Sequence, residues 1–341
     1  MNHQELELPI ETEMYAKNYM VMLPQEIMWA HEIKDAIAQN EELHPLSDLE
    51  IAQFAIVTSA SPYGGDPFRE QASLVEVMER ISKLQHFREQ YKLDQHNNPI
   101  TVEQGLELLH LYIRQQQPGH LVTIDYLPTQ EHYMLVWDRA AFQPSRVIKE
   151  SDWKVYQGAT YVIFLILNSH IRAIRTGVEV VLECDGMSAQ NYDTAFETRR
   201  VNELFNYYPF ITKEFHFLNT PTAAILLYQA CKPFLKKSFH QQVKLDARLE
   251  GYEGQRIDSL YNIPSFENAQ DRLLQRLEGY LRERIFHQQT FKLPPKPSQR
   301  FNDTLNMLLE VPGILDAPDI MLAEEADDSE SIMSIEEAIL S

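Results

Sequence analysis

Apolar residues recur at helical spacing over four stretches in the first third of the chain. Ile27, Ala30, Ile33 and Ile37 share one face of a helix predicted over 24–40. Leu49, Ile51, Phe54 and Ile56 mark a second helix, opened by Ser47 and Glu50 at capping-box spacing. Leu74, Val77, Ile81 and Leu84 form a third, and Thr101 with Gln104 opens a fourth that carries Leu106, Leu109 and Ile113 until Pro118-Gly119 stops it. Between the second and third, SASPYGGDPF (59–68) concentrates Ser, Pro and Gly and reads as a loop or linker.

Beyond Gly119 the period changes. Short apolar runs at 132–138, 178–184, 215–218 and 242–246 are strand candidates, separated by predicted helices at 153–175, 192–207 and 221–239. That alternation implies an α/β fold, a mostly parallel sheet with crossover helices, preceded by a small helical domain. In 178–184 both parities are mainly apolar, as in a strand covered on both sides, with Glu179 and Glu183 as exceptions. Leu273, Leu274, Leu277, Leu281 and Ile285 give an amphipathic helix over 271–287, and KLPPKPS (292–298) reads as extended. The expected organisation is an N-terminal helical extension and linker (1–66), a helical region (67–117), an α/β domain (118–265), a C-terminal helix with a Pro-rich segment (266–300) and an acidic, disordered tail (301–341).

Charge sharpens this picture. The 341 residues carry a net charge of −20, but 301–341 hold 11 of the 50 acids and no Lys or Arg, which leaves −9 for the first 300. An acidic chain without a basic arm argues against nucleic-acid binding. Cys184 and Cys231 are the two cysteines, expected as buried free thiols in a reducing compartment. Residues 1–13 have neither a basic start nor an apolar run, so no secretory signal is expected there. The longest apolar run, 161–167, is far short of the roughly 20 residues that span a bilayer. The expected location is cytoplasmic, with peripheral association at membranes.

The densest signal is YPFITKEFHFLNTPTAAILLYQACKPFL (208–235). It joins a Tyr-Pro break, a short strand, an Asn-Thr-Pro turn and a helix too apolar for an ordinary surface, with Pro221 suited to its first turn and Pro233 bound to kink or end it. The spacing of Pro209, His216, Asn219, Pro221 and Lys232-Pro233-Phe234-Leu235 resembles the signature of CRAL-TRIO lipid-binding domains. Glu183-Cys184-Asp185-Gly186, HYMLVWD (132–138) with Phe142 and Pro144, and the 101–113 helix before Pro118-Gly119 are similar to that family's motifs in the same order. The chain departs from the family's pattern at Glu183, where an Asp is usual, and lacks its customary close around 260–264.

The resemblance implies a lipid held between one face of the sheet and a gate helix over 221–239. Its lining would comprise Thr160, Phe164, Val178, Val180, Leu182, Leu204, Tyr208, Phe210, Phe215, Leu227 and Phe234. Lys213, Lys232, Lys236, Lys237 and Lys244 are the candidates for meeting a membrane or lipid headgroups. The expected ligand is a hydrophobic lipid, whether phospholipid, tocopherol-like, retinoid or sterol, exchanged at a transient membrane surface. No enzyme signature is present, and neither a catalytic residue, a cofactor nor a metal is expected. His216 on its apolar strand reads as a satisfied core imidazole, and Glu183 as a carboxylate capping amides at a strand end. The alternative is an adaptor of the same fold, without lipid exchange, whose acidic tail recruits protein partners.

Overall fold

Local hydrogen bonding sets where the N-terminal helices begin. Pro24 starts α1 (Pro24–Gln39), and Glu26 reaches back to accept from the Leu23 amide at 2.8 Å. In α2 (Asp48–Thr58) the predicted reciprocal cap forms: Ser47 Oγ accepts from the Glu50 amide at 3.3 Å and Glu50 accepts from the Ser47 amide at 3.0 Å. Every residue of α2 from Leu49 onward is buried, which matches its nearly continuous apolar sequence. Helix α3 (Leu74–Tyr91) is capped in the same way by Ser73 and Glu76 and ends where Lys92 turns left-handed. Thr101 and Gln104 cap α4 (Val102–Gln115).

These assignments come from a computed structural model, which describes residues 22–59, 71–93, 100–115, 122–127, 132–139, 142–147, 149–169, 171–193, 195–196, 199, 207–221, 225, 243–245 and 266–297. The chain divides after Pro295. All the elements named below belong to the first unit, and only residues 296 and 297 of the second are described.

Five strands form one sheet in the order β1 (Val122–Leu127), β2 (His132–Asp138), β3 (Val178–Glu183), β4 (Thr212–Leu218), β5 (Val243–Leu245). β1 pairs antiparallel with β2, and every later pair is parallel. The sheet is thus mostly parallel, as the alternating pattern predicts. The 122–127 strand is an addition: VTIDYL is half polar, and its pairing depends on β2 lying beside it. The helix predicted over 153–175 is two helices, α5 (Glu150–Leu167) and α6 (Ile171–Thr176). The break follows from Asn168, whose Nδ2 bonds the Phe164 carbonyl at 2.9 Å and competes with continuation of the ladder. The C-terminal helix α7 (Phe266–Thr290) is longer than predicted by five residues at its start and three at its end. Of the helix predicted over 192–207, residues 192, 193, 195, 196, 199 and 207 are described; Tyr192 and Asp193 are not helical, and the other four are.

Strand pleating assigns the sheet's two faces. Ile124, Tyr133, Leu135, Trp137, Val178 and Val180 point into a main core shared with helices α1 to α7. Met134, Val136, Val181 and Leu218 make a smaller cluster on the opposite face. The main core runs without interruption from Met22 to Leu281, so the N-terminal helices share it with the sheet. Gly105 permits the close approach of α4 and α7, since a Cβ there would meet Leu281 Cδ2 at 2.6 Å.

A buried polar network ties these elements together. Arg284 on α7 is fully buried and donates to Gln53 Oε1 on α2 at 3.0 Å and to the Asn168 carbonyl at 3.4 Å. Gln53 Nε2 in turn donates to the Pro209 carbonyl, just ahead of β4, at 3.2 Å. Glu50 pairs with Arg88, joining α2 to α3. Burial alone would push the Glu50 carboxyl up, but Arg88 and then Arg284 outweigh it and hold its pKa at about 2. The Pro-rich segment docks on this assembly: the Leu293 amide donates to Asp48 at 3.1 Å, and the Pro294 carbonyl lies 2.7 Å from His31 Nε2.

Two outcomes follow for stability. Gly177 has φ +83°, and an added Cβ would lie 2.8 Å from Ile211 Cγ2, whereas helical Gly279 faces open space. Gly177→Ala should therefore lose about 1–3 kcal/mol and Gly279→Ala gain about 0.5–1 kcal/mol in equilibrium urea unfolding. Because the folded Glu50 pKa is depressed, its contribution is complete above the unfolded value of 4.5 and is lost as pH falls towards about 2. Glu50→Gln should be less stable at pH 6 and lose less on acidification from pH 5 to 2, read from unfolding midpoints across that range.

Candidate functional site

On the main-core face, expected lining residues from α5, β3, β4 and the segment leading into β4 meet. Phe164 of α5 stacks on Phe210 at 5.0 Å between ring centroids and 11° between planes, and meets Tyr208 at 5.4 Å. Val178, Val180 and Leu182 of β3 point to the same side, next to Phe215 of β4. Thr160 is also buried on α5, but its hydroxyl is used locally, donating to the Tyr156 carbonyl at 2.8 Å. Leu204, Leu227 and Phe234 lie outside the described residues.

Burial divides this face into a closed part and an open one. Phe164, Val178, Val180 and Tyr208 are packed and almost fully covered. Leu182, Phe210, Phe215, Phe217 and Val243 remain only half-buried, although all are apolar. The exposed part therefore follows β4 and β5, the side of the sheet from which the chain leaves for Pro221. There the Asn219 backbone turns left-handed at φ 50°, and the Ile225 amide bonds the Pro221 carbonyl at 3.2 Å. A helical turn thus begins where the Asn-Thr-Pro motif predicts one, with proline in the position that needs no donor. The remainder of the predicted gate helix, with Lys232, Lys236 and Lys237, lies outside the described residues. Lys213 is half-buried on β4 and Lys244 is exposed on β5, so these two cations stand on neighbouring strands.

Glu183 behaves as its strand-end position implies. Its Oε1 accepts from the Asp185 amide at 3.0 Å and from Asn219 Nδ2 at 3.0 Å, bracing the ends of β3 and β4. Cys184 is a buried free thiol, and Cys231 lies outside the described residues.

The opposite face holds a group of residues that the apolar pattern concealed. His132 Nε2 lies 2.9 Å from Glu179 Oε2, while His216 Nε2 lies 2.8 Å from Glu179 Oε1 and 3.0 Å from Glu214 Oε2. His132, Glu179 and His216 are buried and Glu214 is half-buried. The His132 contact first, and then the nearness of His216, outweigh burial and hold the Glu179 carboxyl at a pKa of about 2. His216 is buried, as expected of a core imidazole, and its partners are two carboxylates, although neither ring nitrogen meets the geometry of a hydrogen bond among the described residues. The available signal was Glu179, an acid in the middle of a doubly covered strand, which needed a partner that only strand pairing could supply.

Residues 118–255 match the family model for the CRAL/TRIO domain, and a search of curated proteins found no match to the chain. No helix among the described residues is long and apolar enough to cross a membrane.

The contrast between closed and open parts is measurable. Phe164→Ala should destabilise by about 3–5 kcal/mol, as for a packed core aromatic, and half-buried Phe217→Ala by roughly 1 kcal/mol. Equilibrium denaturation of both variants checks this, and equal losses would contradict the division.

Proposed function

The chain belongs to the CRAL/TRIO domain family through residues 118–255, and from that premise we propose that it binds a water-insoluble lipid and carries it between membranes without catalysing a reaction. The observation that supports this reading most directly is the half-buried apolar strip of Leu182, Phe210, Phe215, Phe217 and Val243 beside the start of the Pro221 helix. Such a strip gains from an apolar guest. Each methylene withdrawn from water contributes about 0.8 kcal/mol, so a chain of ten gains roughly 8 kcal/mol before the costs of binding are subtracted. A loaded carrier would therefore keep its helix shut in water and exchange its guest at a bilayer, where the apolar alternative is close at hand. Lys213 and Lys244, with Lys232, Lys236 and Lys237 of the gate segment, would meet anionic headgroups at roughly 1 kcal/mol each.

The second reading, an adaptor that recruits protein partners through its acidic tail, draws support from the closed part of the face. There Phe164 and Tyr208 fill space against one another. Native mass spectrometry of the purified chain, together with transfer of labelled lipids between vesicles, separates the two. The carrier predicts a co-purifying lipid and measurable transfer. It also predicts that Leu227→Asp or Phe234→Asp abolishes loading with unchanged far-UV circular dichroism, because a bare carboxylate would enter an apolar wall. A lipid-free chain that moves nothing between vesicles would leave the adaptor.

A further inference from the structure

A lipid wall has no use for His132, Glu179, Glu214 and His216, which the sheet gathers on its other face. Glu179 and Glu214 are ladder partners across β3 and β4, and His216 follows Glu214 by two residues, so pleating turns all three the same way. One donor atom from each lies within 4.8 Å of the others. His216 Nε2 sits 2.8 Å from Glu179 Oε1 and 3.0 Å from Glu214 Oε2, yet neither contact is a hydrogen bond. Donors about 2.0–2.2 Å from a shared ion stand roughly 3 Å apart, which is the spacing of both carboxylates from His216. Among the described residues neither carboxylate pairs with a Lys or Arg. Lys244, the ladder partner of His216 on β5, is exposed. The result is two negative groups converging on a buried imidazole that lacks a hydrogen bond.

We propose that Glu179, Glu214 and His216 bind one divalent transition-metal ion, with Zn2+ the best fit. The ring nitrogen favours such an ion over Ca2+ or Mg2+, which take oxygen shells. Half-exposed Glu214 leaves a side open to water as a further ligand. Glu179, ionised and able only to accept, accepts a hydrogen bond from His132 Nε2–H at 2.9 Å, which makes His132 a positioning residue that fixes the carboxylate's orientation. The proposal is independent of lipid carriage, since the site and the apolar strip occupy opposite faces of the sheet.

The test uses the full chain, treated with chelator and dialysed, then titrated calorimetrically with ZnCl2 and, as control, CaCl2. A parallel Co2+ titration is followed by visible absorption. The expected result is one Zn2+ per chain, absorption bands of protein-bound Co2+, and an affinity that falls on acidification as protons compete for the imidazole. Glu214→Gln, at a half-exposed position, should keep its far-UV spectrum and lose at least about tenfold in affinity, and His216→Gln should abolish binding. His132→Phe should weaken binding roughly 10–100-fold, with partial recovery in His132→Gln, which can still donate to Glu179. Absence of stoichiometric Zn2+, uptake no stronger than that of Ca2+, or unchanged affinity in Glu214→Gln would overturn the site. Equal affinities in the two His132 variants would overturn the role of that residue.

Discussion

The fold depends on a guanidinium withdrawn from water. Arg284, from the C-terminal helix, reaches Gln53 near the N-terminus and the carbonyl at the end of α5, while Gln53 holds the Pro209 carbonyl ahead of β4. Burying such a cation is tolerable only when its surroundings are polar, and Glu50 supplies the nearby negative charge. Segments more than 200 residues apart in sequence therefore share one electrostatic condition. Losing any member leaves the others buried without compensation, which costs far more than the net worth of each bond.

That clamp bears on the candidate binding face. Tyr208 and Pro209 lead into β4, and β4 carries Phe215 and Phe217, two residues of the half-buried strip. Holding the Pro209 carbonyl fixes the entry to this strand, while Phe215 and Phe217 stay half-buried. Val178 and Val180, one strand further in, are closed within the main core. A single sheet face thus passes from buried core to half-buried apolar surface between neighbouring strands.

The opposite face obeys different physics. Its apolar cluster has four members, and beside it His132, Glu214 and His216 gather around Glu179. Strand alternation lets the two faces coexist, because neighbouring residues such as Phe215 and His216 serve unrelated environments. A one-residue slip in register would put the carboxylates into the main core and expel the valines, so the acids also pin the register.

The amino-acid order by itself determined the helix starts, the alternation of strands and helices, and the Asn-Thr-Pro turn leading into a helix. Each rests on contacts within a few residues: Ser47 with Glu50, Thr101 with Gln104, and the Pro221 carbonyl with the Ile225 amide. The family motifs were legible for the same reason, being short and ordered. Tertiary structure alone decided that Val122–Leu127 is a strand, that Thr160 spends its hydroxyl inside α5, and that the lining residues divide into sealed and half-open sets. It also decided the company of His216, since His132, Glu179 and Glu214 come from three strands and meet only once their register is set. Sequence records what lies within a turn of helix, whereas burial and partnership across a sheet are properties of the packed chain.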